Sequence, residues 1–204
     1  MIVIIDYGMG NLKSVYNALK KINCECMISG KVEDIKKADA LILPGVGAFK
    51  DCMDNLNKAG LVDVIKEEAK KGKYLLGICL GMQVLFERGY EVEEREGLGL
   101  LKGEIKLMKD PNVKIPHIGW NNLEVNRNDE IIKGLKENSF VYYVHSYAAT
   151  NYDEKDLVGY SNYGSIKVPG LFRKGNIIGA QFHPEKSGEI GLNILRNFKE
   201  LVMW

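Results

Sequence analysis

Long apolar runs are missing from this chain of 204 residues. Its apolar start, Met1 to Ile5, meets Asp6 at once, too short for a signal-peptide core, and no later run approaches membrane-spanning length. A cytoplasmic protein with no membrane partner is expected. An excess of either charge is missing too. Against 28 Lys and Arg stand 27 Asp and Glu, so no large net field draws the chain to nucleic acid or to an anionic surface. Small neutral or zwitterionic substrates suit that balance better. The four cysteines, Cys24, Cys26, Cys52 and Cys79, include neither a CxxC pair nor the paired spacing of a zinc site, and a reducing cytosol disfavours structural disulfides. Cys24, Cys26 and Cys52 read as packing residues. His117 and His145 lack the spacing of a metal site and read as structural or substrate-positioning, so neither metal nor cofactor is expected. No repeat, low-complexity tract or long linker divides the sequence, which predicts one domain over 1–204 with a full hydrophobic core.

What is present is an alternation of strand and helix signals. Met1 to Ile5 is a continuous apolar run, the pattern of a strand buried on both faces. Asn11 stands where it can cap a helix whose Leu12, Val15, Tyr16 and Leu19 share one face. Further strand-like pieces at 25–28, 40–43 and 74–78, with a helix around 61–71, extend the alternation, which predicts an α/β fold. Beyond Gly97 the pieces shorten, at 104–108, 140–144, 157–160, 171–173 and 177–182, and read as additions with an antiparallel portion. A helix from about 189 to 202 closes the chain.

In a parallel α/β sheet, ligands gather beyond the carboxyl ends of the strands, so three loops matter. Gly77-Ile78-Cys79-Leu80-Gly81-Met82-Gln83 places a cysteine between an apolar run and a helix-like segment, with glycines two positions to either side. That is the pattern of a nucleophile elbow, with the thiolate favoured at a helix N-terminus. The competing reading is a buried cysteine at a tight turn. Gln181-Phe182-His183-Pro184-Glu185 follows another apolar run; residues two apart on an extended backbone share a side, so His183 and Glu185 suit a base and its orienting carboxylate. Alone, that pair is better explained by a surface histidine near an acid; with the cysteine elbow at another strand end it is not. Pro44-Gly45-Val46-Gly47 offers glycines that let the backbone approach a ligand and present N–H groups to a developing oxyanion, with a plain strand-exit turn as the alternative. Glycines on both sides of Val46 are expected to let the loop turn, because Gly45 can adopt backbone angles that a residue with a Cβ would resist. Gly8-x-Gly10 is not a dinucleotide fingerprint, because Lys13 occupies the place of the third glycine.

Together the elbow and the downstream His183-Pro184-Glu185 resemble those of the class I (triad) glutamine amidotransferases. Pro44-Gly45-Val46-Gly47, Pro116-His117-Ile118-Gly119-Trp120-Asn121 and His145-Ser146-Tyr147 narrow the likeness to glutaminase subunits that serve a cyclase making imidazole glycerol phosphate. The resemblance spans nearly the whole chain. It implies a flavodoxin-like fold, with a central, mostly parallel sheet flanked by helices and an antiparallel addition. It also implies a Cys79, His183 and Glu185 triad that hydrolyses glutamine to glutamate and ammonia. Val46 and Leu80 are then expected at the oxyanion hole, and Gly45, Gln83, Ser146 and Tyr147 at the substrate. Asn11, Trp120, Tyr142 and Lys186 are expected toward the partner, although core packing is an alternative for Trp120. That partner is a separate (β/α)₈-barrel cyclase of histidine biosynthesis, which also releases aminoimidazole carboxamide ribonucleotide. Two other enzyme readings stand beside this one: a stand-alone cysteine hydrolase, and the glutaminase of pyridoxal phosphate synthase, whose loop is expected to carry adjacent glycines where Gly45-Val46 stands. A non-catalytic module has no need of all three triad residues.

Overall fold

Ile2, Val3, Ile4 and Ile5 form a strand because β-branched side chains suit an extended backbone, and all four are buried. Ile2 and Ile4 join one hydrophobic cluster while Val3 and Ile5 join another, so a core lies on each face of the sheet. The computed structural model describes residues 1–203. The first half alternates strand and helix: β1 (Ile2–Ile5), α1 (Leu12–Lys21), β2 (Cys26–Ser29), α2 (Val32–Lys37), β3 (Ala40–Gly45), α3 (Phe49–Lys58), α4 (Val62–Lys70), β4 (Tyr74–Cys79) and α5 (Leu80–Gln83). Short strands follow: β5 (Arg88–Gly89), β6 (Arg95–Glu96), β7 (Glu104–Leu107), β8 (His117–Asn122) and β9 (Glu124–Val125). The chain ends with β10 (Phe140–His145), β11 (Tyr147–Thr150), β12 (Leu157–Tyr163), β13 (Ile166–Lys174), β14 (Ile177–Ala180) and α6 (Gly188–Val202).

The main sheet has eight strands in the order β2-β1-β3-β4-β14-β13-β12-β9. Its first five strands are parallel, and β13, β12 and β9 continue it antiparallel, as the sequence pattern predicts. The pair β8–β10 and the group β11-β7-β5-β6 form two smaller sheets. No helix among the described residues is long and apolar enough to cross a membrane.

Two differences from the sequence pattern have plain causes. Asn11 does precede α1, but its backbone (φ −88°, ψ 62°) lies outside the extended conformation of a capping residue, and among the described residues its side chain makes no capping hydrogen bond. The strand β8 escapes a search for apolar alternation because its inward positions are His117, Gly119 and Asn121, polar or bare.

Candidate active site

The strand β4 ends at Cys79, whose φ of +55° and ψ of −113° put a residue with a Cβ on the strained side of backbone space. The turn is possible because glycines flank it. A Cβ on Gly81 would overlap the Leu43 carbonyl, and one on Gly77 would lie 2.6 Å from the Gly81 carbonyl oxygen. The helix that follows is a single turn, Leu80–Gln83, so the expected help from a long helix dipole is small and the thiol's setting comes from its neighbours. Cys79 Sγ lies 3.9 Å from the Val144 carbonyl oxygen and 3.9 Å from Gln181 Nε2.

Strand β14 runs beside β4 with Ala180 opposite Ile78, so the chain leaving β14 passes the elbow. The His183 N–H donates to the Tyr142 carbonyl at 2.9 Å, and Pro184–Lys186 then forms a 3₁₀ turn. That turn, rather than a continuous extended backbone, returns Glu185 to the imidazole. His183 Nδ1 and Glu185 Oε1 are 2.8 Å apart, with side chains 3% and 1% exposed. Burial by itself would lower the His183 pKa; the Cys79 sulfur and the Glu185 carboxylate outweigh it and push it up to about 9. His183 Nε2 is buried and, among the described residues, has no hydrogen-bond partner. Cys79 is thus near enough to favour the imidazolium without meeting hydrogen-bond geometry.

On the other side of the elbow, Gly45 ends β3 directly opposite Cys79 in the sheet register. A Cβ on Gly45 would come within 2.7 Å of the Gly81 amide nitrogen and 2.8 Å of the Tyr7 hydroxyl. The need for glycine there is space. The left-handed conformation in this loop belongs to Gly47, at φ +100°.

These segments enclose a cavity of ≈ 390 Å³ lined by Val46, Gly47, Cys79, Leu80, Gln83, Glu91, Pro116, Val144, His145, Ser146, Tyr147 and His183. Gly45, expected at the substrate, adjoins the Val46 and Leu80 of this lining but is not itself part of it. Both Gln83 amide hydrogens are committed, to the Tyr147 carbonyl at 3.0 Å and to Gln181 Oε1 at 3.0 Å, so toward a ligand Gln83 can only accept. Glu91 is the acidic residue that sequence reasoning missed. It stands 42 residues in sequence from Phe49, whose N–H its Oε2 accepts at 2.8 Å at the start of α3. No local motif marks it, and only the fold brings it to the cavity. Burial pushes its carboxyl pKa up, against the Phe49 N–H that lowers it.

The sequence family described as "Glutamine amidotransferase class-I" matches residues 3–201. The chain belongs to the class I glutamine amidotransferase family. Among relatives of this amidotransferase is the "Imidazole glycerol phosphate synthase subunit HisH" of Lactococcus lactis, 55% identical over 98% of this chain and 98% of that one. The protein of the same name from Oceanobacillus iheyensis is 49% identical over 99% and 100%, and that of Bacillus cereus strain B4264 is 55% identical over 99% and 95%. A solved glutamine amidotransferase structure superposes with a TM-score of 0.78 at 21% identity, covering 100% of this chain and 99% of its own. PurLQS from Thermotoga maritima superposes at 0.76 with 22% identity over 98% and 97%. At such identities these two show the amidotransferase fold alone.

Three of the four residues expected toward a partner of the amidotransferase, Trp120, Tyr142 and Lys186, lie together beside the site. Tyr142 and Trp120 are register partners on β10 and β8, with rings 6.0 Å apart, and Lys186 Nζ lies 6.0 Å from the Tyr142 ring. Trp120 is 55% exposed, which removes core packing as its explanation. Ile118, Phe140 and Val144 are exposed on the same two strands, and Asn11 begins the helix that packs against the turn carrying Lys186. Among the described residues, no group of three or more His, Cys, Asp and Glu is arranged to hold a metal ion.

Proposed function

We propose that this amidotransferase is the ammonia-producing subunit of an imidazole glycerol phosphate synthase, converting glutamine and water to glutamate and ammonia. The observation that carries the reading is the strained Cys79 beside a buried His183 that Glu185 holds in an imidazolium-favouring pair. Cys79 as thiolate attacks the side-chain amide carbon of glutamine. Negative charge collects on the former carbonyl oxygen, where the Val46 and Leu80 N–H groups donate to it. His183 gives its proton to the departing nitrogen, ammonia leaves, and a γ-glutamyl thioester remains on Cys79. His183, now neutral, takes a proton from water as the water attacks the thioester. Collapse of that second tetrahedral species releases glutamate and regenerates the thiolate–imidazolium pair.

Recognition of glutamine follows from the chemistry of the wall. The Glu91 carboxylate and the Gln83 carboxamide oxygen accept from the α-ammonium, and the backbone at Ser146 and Tyr147 meets the α-carboxylate. A (β/α)₈-barrel cyclase docks on the apolar surface around Trp120 and Tyr142, with Asn11 and Lys186 at its margin. An exposed apolar patch of this kind marks an interaction surface. Ammonia then passes from the Cys79 cavity to the cyclase, which forms imidazole glycerol phosphate and aminoimidazole carboxamide ribonucleotide.

The test is glutamate release by the purified chain alone, with the cyclase, and with the cyclase plus its ribonucleotide substrate. Turnover is expected to be low alone and to rise with partner and acceptor. An isolated chain as fast as the complex would make it a stand-alone hydrolase.

A further inference from the structure

Two histidines outside the proposed triad form a buried chain between the exposed sheet face and the cavity. His117 opens β8 and His145 closes β10; they are register partners, 2% and 7% exposed. His145 Nδ1 is 2.8 Å from the Tyr147 carbonyl oxygen. A carbonyl only accepts, so that nitrogen carries the proton and His145 Nε2 is left as an acceptor. Its partner, 3.1 Å away, is His117 Nδ1, which must therefore carry the proton of the second ring. His117 Nε2 accepts in turn from Asn121 Nδ2 at 3.3 Å, and the same Nδ2 donates to the Asn162 carbonyl at 2.9 Å.

Every hydrogen in this chain meets an acceptor only when both rings are neutral Nδ1–H tautomers. A further proton on His145 would set two N–H groups against each other, with the His183 imidazolium close by. Burial, with those neighbours, holds the His145 pKa down to about 3, and burial holds that of His117 down to about 4. The His117 ring is also stacked between Tyr143 and Tyr163, with centroids 4.6 and 4.1 Å away, so its orientation is fixed. At the far end, the Tyr147 carbonyl also accepts from Gln83 Nε2, so one oxygen joins the histidine chain to the cavity wall.

We propose that His117 and His145 are positioning residues for glutamine: as paired Nδ1–H tautomers they hold the Tyr147 carbonyl, and with it the Ser146–Tyr147 wall of the cavity, in register with β8 and β10. The proposal rests on the glutaminase reading of the Cys79 cavity. Both ring nitrogens of His145 are already engaged, which leaves its role as one of geometry.

Two measurements test it. In the full ¹⁵N-labelled chain at neutral pH, imidazole nitrogen spectra are expected to show both rings as neutral Nδ1–H tautomers. A protonated ring at His117 or His145, or an Nε2–H tautomer at His145, overturns the proposal. In the complex with the cyclase, His145→Leu removes the donor to Tyr147, whereas His145→Asn keeps one near the Nδ1 position. His145→Leu is expected to raise the glutamine KM roughly 3- to 10-fold, the effect of one lost neutral hydrogen bond, with kcat little changed, and His145→Asn to restore most of it. His117→Phe keeps the stacked ring but leaves His145 Nε2 without its donor; the Tyr147 carbonyl still holds His145 as the Nδ1–H tautomer, and the glutamine KM is expected to rise by less than in His145→Leu while the chain stays folded. Equal KM values in the Leu and Asn variants, or an unchanged KM in a folded His145→Leu, overturn the positioning role. A chain with both tautomers intact but no glutamine turnover removes the glutaminase reading and, with it, glutamine as the ligand. An active chain without the tautomers removes only the histidine pair.

Discussion

Glu185 Oε1 lies 2.8 Å from His183 Nδ1, and a 3₁₀ turn of three residues, Pro184–Lys186, brings them together. The carboxylate thereby fixes which imidazole nitrogen faces Cys79 and supports the positive charge on the ring. His183→Ala is expected to lower glutamine turnover by about 10² to 10⁴, the usual worth of a general acid–base group. Glu185→Gln keeps an acceptor for Nδ1 and is expected to cost less. Steady-state glutamate release in the partner complex measures both, and a larger loss for Glu185→Gln would reverse the assigned roles.

The pH dependence follows from the direction of the His183 shift. Its pKa is raised to about 9, so the imidazolium that protonates the departing nitrogen is present below that pH and is lost as pH rises through it. An alkaline fall in kcat/KM near pH 9 is expected. Glu185→Gln removes one of the charges that raise the value, so the fall should move to lower pH. An alkaline limb that stays in place would show that Glu185 orients the ring without supporting its charge.

Cys79→Ala is expected to abolish glutamine hydrolysis while the cyclase continues to use added ammonium. Alanine has a Cβ like cysteine, so it adopts the φ of +55° at similar cost and the fold should persist. Measured glutamate formation in this variant would move the nucleophile elsewhere.

Val46 separates two glycines with different duties: Gly45 fits the space beside Gly81 and Tyr7, and Gly47 takes the left-handed conformation. We expect partner binding to turn the Val46 N–H toward the developing oxyanion. Val46→Pro deletes that donor and should cost on the order of 10² to 10³ in stimulated turnover. Proline also restricts the backbone, so Val46→Ala, which keeps the N–H, is the control and should be near wild type. Full partner-stimulated activity in folded Val46→Pro would place the oxyanion donor elsewhere.

Substitutions at Glu91 separate its hydrogen bond to the Phe49 N–H from its proposed contact with glutamine. Glu91→Gln retains an oxygen for the Phe49 N–H but removes the charge proposed to meet the α-ammonium of glutamine. A charge-assisted hydrogen bond is worth about 1.5 to 3 kcal/mol, so the glutamine KM should rise roughly 10- to 100-fold. Thermal stability should change little. Glu91→Ala should add the loss of a helix cap, about 1 kcal/mol. An unaltered KM in Glu91→Gln would leave the residue as a cap alone.

Much of the site was written into local sequence. The apolar run Ile2 to Ile5 had to be a doubly buried strand, and Gly77 and Gly81 had to frame a tight turn, because each depends on residues within a few positions of one another. His183 and Glu185 are likewise two residues apart, so their pairing needed only one turn. What tertiary structure decided were the meetings of distant segments. The pairing of β3 with β4 sets Gly45 opposite Cys79 and thereby delivers Val46 to the elbow. Packing against α3 brings Glu91 into the cavity, and the β8–β10 register joins His117 to His145 across 28 residues. No short pattern encodes such contacts, since they arise only when strands that are remote in the chain are held side by side by the cores on each face of the sheet.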